Sequence, residues 1–380
     1  MTITGAVGIA MNKKIKVGVL FGGKSAEHEV SLQSALSVIE ALDPEKYDVI
    51  LIGINKQGQW FLNESSKFLL EADNPKLIKL DTNGSSTSVA LIPGKKSEKL
   101  MRLNGSAEAS QIDVVFPVLH GTYGEDGTVQ GLLKLANVPF VGAGVLGSAV
   151  GMDKDVMKRL LRDAGLPIAK FVVLNRTTVR NIGYDSVVAQ LGLPLFVKPA
   201  NLGSSVGVRK VKDQREFREA IEHAFLFDHK ILIEEFVDGR EIECSVLGND
   251  YPIASVPGEI VPQHEFYSYE AKYLDEKGAI LKIPADLPQD IVTKLQKTAV
   301  DTFQTLCCEG MARVDMFLTK DNKIFVNEIN TIPGFTKISM YPKLWEATGI
   351  PYKELIDRLI KLAMEKYQLD QQLQTSQDFE

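Results

Sequence analysis

Residues 311–319 (MARVDMFLT) and 323–330 (KIFVNEIN) are two runs rich in branched and aromatic side chains, joined by a polar turn centred on Asp321 and Asn322. Such a pattern predicts a β-hairpin. If Thr319 pairs with Ile324, Asp315 faces Glu328 and Arg313 faces Asn330. The two-residue period of a strand then puts all four on one face, with the apolar residues on the other. Two carboxylates and an amide oxygen form a hard-oxygen donor set suited to Mg²⁺, which takes one or two protein carboxylates and completes its shell with phosphate and water. An arginine beside them can hold a transferring phosphoryl group or a developing oxyanion. The alternative is a solvated edge carrying two charge pairs. The next segment, TIPGFTKIS, weighs against it, because Gly334 sits in a turn where a bare backbone N–H can point into a site.

The rest of the chain supplies an α/β setting. Residues 14–23 (KIKVGVLFGG) read as a strand ending in two glycines, followed by helical periodicity to about residue 42. Residues 47–54 and 113–121 are further strands. The stretch 63–105 is polar and reads as loops and short pieces. A helix over 129–136 and a short strand, VPFVG, follow. Next comes the helix MDKDVMKRLLRDAG, with Gly165 as its stop. The β runs AKFVVL, LPLFVKP and KILIEEF fill the middle of the chain. GREIECSVLG and a helix over 289–306 precede the hairpin. The glutamine-rich tail after about residue 367 is expected to fray.

At 380 residues the chain accommodates two or three domains. A hydrophobic fraction of 44% and a charged fraction of 24% are those of a soluble globular protein. The formal net charge of -6 argues against a nucleic-acid partner, which requires a clustered basic face. No stretch approaches the roughly 20 apolar residues of a membrane helix. Residues 1–12 lack the basic start of a signal peptide and read as a leader before the first strand. Cys244, Cys307 and Cys308 lack metal-ligand spacing and suggest reduced thiols in the cytoplasm.

Other segments are ambiguous alone. NLGSSVGV, after Lys198, is either a flexible turn or a small-residue loop whose N–H groups cover phosphates; it is not a Walker A sequence. Lys154 is either a surface lysine or a phosphate ligand. The strand ILIEEFVDGRE can offer backbone groups to a base, and Glu241 can reach a ribose. Glu29 either complements a helix dipole or faces an ammonium group. His120, at a strand end, is equally open.

Taken in order, GGKSAEHEVSLQS, HGTYGEDG, MDKDVMKRLL, LFVKPANLGSSVGV, EFYSYEAKY, GMARVDMF and NEINTIPGFT resemble the D-alanine–D-alanine ligase family of the ATP-grasp superfamily. The resemblance runs from about residue 14 to about 364. It implies an α/β, three-domain ATP-grasp architecture with a Rossmann-like N-terminal domain. The units would be 1–149, 150–237 and 238–380. It implies ATP- and Mg²⁺-dependent joining of two D-alanines through an acyl phosphate, for peptidoglycan precursors. Asp315, Glu328 and Asn330 would hold two Mg²⁺, or Mn²⁺. Lys154, Lys198, Ser205, Glu234, Glu235, Phe236, Val237, Glu241, Phe317 and Asn327 would surround ATP. Glu29 would orient the first ammonium in a triad with Ser204 and Tyr273, and His120 would line that subsite. Lys272 would reach the γ-phosphate from a mobile loop over 264–278. Arg313 and the Gly334 N–H would stabilise the oxyanion, and Ser339 and Met340 would meet the second D-alanine. A homodimer is implied as well. His28 and Ile332 stand where some relatives carry other residues. Ligases taking D-lactate or D-serine as acceptor, another ATP-grasp carboxylate–amine ligase, and a nucleotide-binding protein without chemistry are the alternatives.

Overall fold

The computed structural model describes residues 13–63, 69–70, 74, 78–81, 86–94, 99–103, 109–262 and 279–374. Lys272, Tyr273 and the whole of the 264–278 loop, to which the sequence assigns roles, lie outside these, as do the leader 1–12 and the end of the tail.

Three larger sheets organise the chain, beside a two-stranded pair of Leu69–Leu70 with Lys79–Leu80. The first has seven strands and begins with the run Ile15–Gly22, which pairs in parallel with Tyr47–Ile54 on one side and Val114–Val118 on the other. Both neighbours are apolar throughout their inner halves, as strands covered on two faces must be. Antiparallel strands Trp60–Asn63, Ser86–Leu91, Leu100–Arg102 and Ala109–Ser110 extend the sheet. Part of the stretch expected to be loops therefore continues the sheet. The VPFVG segment makes only an isolated bridge, Val115 to Phe140.

The second sheet is antiparallel, in the order Phe171–Asn175, Lys230–Glu235, Leu195–Pro199, Arg209–Val211. Helix Lys154–Asp163 leads into it, capped by the Asp153 side chain, which accepts from the N–H groups of Asp155 and Val156. Gly165, at φ +76°, ends it in the left-handed conformation, with the Leu166 N–H returning to Leu161 O.

The third sheet has six strands, with Gly239–Gly248 and Gly310–Thr319 at its centre and Ile324–Asn330 at its edge. Ala312, Val314, Met316 and Leu318 point into a core shared with Leu295, Ala299 and Phe303 of helix Gln289–Thr305. Burial of that face forces Arg313 and Asp315 onto the opposite one.

The chain then returns to its beginning. Helices Met340–Ala347 and Tyr352–Asp370 bury Trp345, Leu355 and Leu359 in one cluster with Val17, Val19 and Phe116 of the first sheet. The Tyr47 hydroxyl donates to Asp357 at 2.5 Å. Phe335 packs edge-on against Phe116, with ring centroids 5.6 Å apart. The segment between hairpin and helix is thereby pinned over the first sheet. Among the described residues, no helix is long and apolar enough to cross a membrane.

Candidate active site

The hairpin does bring its four polar residues to one face, by a route that differs from the expected pairing. Leu318, not Thr319, pairs with Ile324. The turn is one residue shorter: Asn322 takes φ +60°, and Thr319 N–H reaches Lys323 O at 3.0 Å. A register shift between Asp315 and Met316 leaves Asn327 as an extra residue opposite them. The two one-residue differences cancel, so Asp315 still faces Glu328 and Arg313 still faces Asn330.

Arg313 forms a bidentate pair with Asp315, both contacts at 2.7 Å, and lies 3.0 Å from Glu243. Glu243 is the cross-strand neighbour of Asp315; its period-two spacing from Glu241 was the available signal. Asn330 Oδ1 accepts the Ile332 N–H at 3.2 Å. Lys154 reaches Leu202 O at 2.6 Å and Glu328 at 3.5 Å. Lys198 pairs with Glu234 at 2.5 Å and meets the bulged Asn327 at 3.4 Å.

A cavity of about 520 Å³ lies where the three sheets meet. Glu27 and Glu125 line it from segments next to the first sheet, Lys154 and Ser204 from segments next to the second, and Arg313, Glu328 and Asn330 from the third sheet. Gly334, Ser339 and Met340 close one side. Asp315 is 3% exposed and sits beneath Arg313.

Glu29 requires a correction. Its carboxylate lies 2.6 Å from Lys56 and does not line the cavity. Burial works to raise its proton affinity, but the Lys56 hydrogen bond, a backbone hydrogen bond and the charges of Lys56 and His28 together outweigh it and hold the carboxyl below its usual range. Glu27, the residue just before helix His28–Ala41, faces the cavity instead and accepts the Ser204 hydroxyl. Glu27 precedes the first helical residue and Glu29 lies within the first turn, so the two acids point apart.

Glu125, one of the two acids of the GEDG turn and not singled out in the sequence, accepts the Gly121 N–H at 2.5 Å. Gly121, at φ +75°, lies between the two acids: a Cβ there would meet Glu27 Oε2 at 2.7 Å. Burial, then the charge of Glu27, pushes the Glu125 carboxyl up to about 8.

His120 lies behind the cavity wall. It is 4% exposed, with Nδ1 3.0 Å from Ile332 O and Nε2 3.2 Å from Ser34 Oγ. Nδ1 therefore carries the proton, because a carbonyl only accepts. Burial lowers its pKa to about 4. Ser34 Oγ also accepts the Phe335 N–H at 3.2 Å, so this neutral histidine ties Ile332 and Phe335 to the first sheet.

On the other side of the cavity, Ser339 precedes helix Met340–Ala347, and its Oγ accepts the Thr336 N–H at 3.0 Å. Met340 packs with Ile260 and Leu344. In the central loop, Ser204 and Ser205 both adopt left-handed backbone, at φ 52° and 59°. The residues expected around a base lie where the second sheet passes into the third. Glu235 accepts the Lys170 N–H at 2.7 Å, the Lys210 ammonium lies 5.0 Å from the Phe236 ring centroid, and Val237 follows. Glu241 pairs across strands with Phe317.

The donor chemistry of the hairpin fits Mg²⁺. Among the described residues no group of three or more His, Cys, Asp or Glu side chains forms a preformed metal cage. Two acids and an amide suit an ion that brings phosphate and water as its remaining ligands.

The sequence matches the family model described as D-ala D-ala ligase N-terminus over residues 16–143, and D-ala D-ala ligase C-terminus over residues 160–361. It is 59% identical to D-alanine–D-alanine ligase of Shouchella clausii, covering 96% of this chain and 98% of the relative. It is 54% identical to D-alanine–D-alanine ligase A of Escherichia coli, covering 96% and 100%. Among solved structures it superposes on the D-alanine–D-alanine ligase from Coxiella burnetii with a TM-score of 0.84 at 40% identity, covering 95% of this chain and 97% of that one. VanG D-Ala:D-Ser ligase from Enterococcus faecalis gives 0.83 at 36% identity, covering 92% and 100%. With an ATP-grasp fold and both family regions in order, the chain belongs to the D-alanine–D-alanine ligase family.

Proposed function

We propose that this chain joins two D-alanines at the cavity between the three sheets, with ATP converted to ADP, as a cytoplasmic supplier of peptidoglycan precursors. The observation that carries this is the convergence, on one cavity, of an acid–serine pair, the Lys154 helix and the Arg313 hairpin.

In this mechanism Glu27, in place of Glu29, orients the first ammonium, and the Ser204 hydroxyl holds the Glu27 carboxylate in place. The first D-alanine carboxylate attacks the γ-phosphorus, forming an acyl phosphate and releasing ADP. Lys154 and Lys198 offset the phosphate charge. Asp315, Glu328 and Asn330 would hold Mg²⁺, as two ions and with Mn²⁺ as a substitute; when bound, the metal neutralises charge on the transferring phosphoryl group. The second D-alanine amine, as the free base, then attacks the acyl carbon. Arg313 and the Gly334 N–H receive the oxyanion, and its collapse expels phosphate. Ser339 and Met340 contact the second substrate. Glu235 to Val237, Glu241 and Phe317 seat the base and ribose, and Ser205 covers the phosphates. His120 supports the Gly334 segment from behind. A homodimer follows the family.

ADP release measured with D-alanine alone, and with D-lactate or D-serine added, tests the proposal. Full turnover with D-alanine alone is expected. Turnover that requires D-serine would favour the acceptor class named for VanG, and no D-alanine-dependent turnover would overturn the function.

A further inference from the structure

Lys158 lies one helical turn beyond Lys154 on helix Lys154–Asp163. Its side chain is fully buried, and its ammonium lies 2.9 Å from Glu234 Oε1. The other oxygen of Glu234 holds Lys198 at 2.5 Å. Nothing in the mechanism above uses Lys158. The buried residues of its helix are Lys154 and Asp155 at the first turn and Met157 and Leu161 beside it; Lys158 alone is fully buried among the charged ones, and an apolar residue in its place would avoid the cost of desolvating a charge. A buried ammonium at this position therefore has to do something that packing alone does not.

The charge pattern indicates what. The Glu234 carboxylate faces two ammonium groups, and Glu328, which also acts on Lys158, is paired with Lys154, so a surplus positive charge remains. Burial draws the Lys158 ammonium below the usual lysine range, with Glu234 opposing. The same two lysines, working against burial, hold Glu234 ionised. The surplus lies on the side of Lys198, which also touches Asn327 of the hairpin at 3.4 Å. A polyanion arriving there would find a lysine able to leave its carboxylate, because Glu234 would keep a counter-ion.

We propose that Lys158 is a positioning residue that keeps Glu234 neutralised, so that Lys198 is free to pass from Glu234 to the phosphates of the nucleotide. It acts through Glu234 and touches no substrate. Without it, Glu234 has a single counter-ion and retains Lys198. The inference rests on the proposed contact between Lys198 and the nucleotide phosphates.

The experiment is calorimetric titration of the full-length chain with AMP-PNP and Mg²⁺, alongside the D-alanine KM. Lys158→Met should weaken AMP-PNP binding by about tenfold, with the D-alanine KM changed less than about twofold. In a Glu234→Gln background, where no carboxylate remains to retain Lys198, Lys158→Met should have no further effect on binding. Lys158→Arg, which keeps the charge, should bind within about threefold of the unaltered chain. Unchanged binding by Lys158→Met, an equal loss in the Glu234→Gln background, or a tenfold loss in Lys158→Arg would each overturn the inference; the last of these decides even if Lys158→Met does not fold. Lys198→Met separates the two levels. If it binds AMP-PNP normally, the assignment of Lys198 fails; if it weakens binding while Lys158→Met does not, only the role of Lys158 fails.

Discussion

The hydroxyl of Ser204 donates a hydrogen bond to the carboxylate of Glu27, across a sequence separation of 177. This contact joins the glycine–serine turn of the second sheet to the start of the first helix, and it distinguishes two acids only two positions apart. Glu27→Gln should lower kcat/KM for D-alanine on the order of 10²-fold, because charge-assisted contacts to an ammonium exceed neutral ones. Glu29→Gln, which loses only a partly exposed pair with Lys56, should stay within about threefold. Steady-state kinetics decide, and the reverse ranking would return the ammonium role to Glu29.

Asp315→Asn takes one of the two carboxylate charges from the metal donor set and ends the bidentate pair with Arg313. ATP turnover should fall by roughly 10²–10³-fold, the range found when a single charge-stabilising group is lost. The circular dichroism spectrum should not change, since the apolar face of the strand is untouched. Wild-type turnover in this variant would remove the hairpin from the mechanism.

Gly334→Ala places a Cβ 2.7 Å from Ser339 Oγ. That hydroxyl is already bonded to the Thr336 N–H and lies 2.8 Å from the Thr336 hydroxyl, so it has little room to yield. The loop must shift, and kcat should drop by at least about tenfold, as expected when an oxyanion donor is misplaced. An unaltered kcat would show that this N–H is not used.

Glu125 sets a pH dependence of stability. Its folded pKa of about 8 lies above the usual 4.5, so the folded state holds the proton more tightly. The resulting stabilisation is complete below about 4.5 and is lost as pH rises through about 8. Glu125→Gln, which cannot ionise, should lose less Tm than the unaltered chain between pH 6 and pH 9. Equal losses in thermal denaturation would show that Glu125 does not carry this dependence.

His120 acts in the opposite direction. Its folded pKa of about 4 lies below 6.5, so the unfolded chain takes up the proton first. Its contribution is present above about 6.5 and is lost as pH falls towards 4. His120→Gln should flatten the decline in urea midpoint between pH 7 and pH 4.5. An unchanged slope would show that the burial of this ring does not govern acid stability.

Much of the site is visible in the sequence because its signals are local. Alternation along the hairpin puts Arg313 and Asp315 on the polar face whatever the rest of the chain does, since Val314 and Met316 must be buried. Helix boundaries, the Gly165 stop and the small residues around Ser204 are likewise short-range.

Contacts between distant segments belong to the tertiary structure. The bulge at Asn327 restores a register that the shorter turn had offset, and the alternation of the sequence has no symbol for an extra residue. Glu27 rather than Glu29 faces the cavity because the helix begins at His28 and Ser204 arrives from another sheet. Lys158 reads as one more lysine on an amphipathic helix until the strand carrying Glu234 covers it. The sequence by itself thus determined which residue types share a face. The fold decided which of them meet, because periodicity acts within one element while pairing depends on elements that only folding brings together.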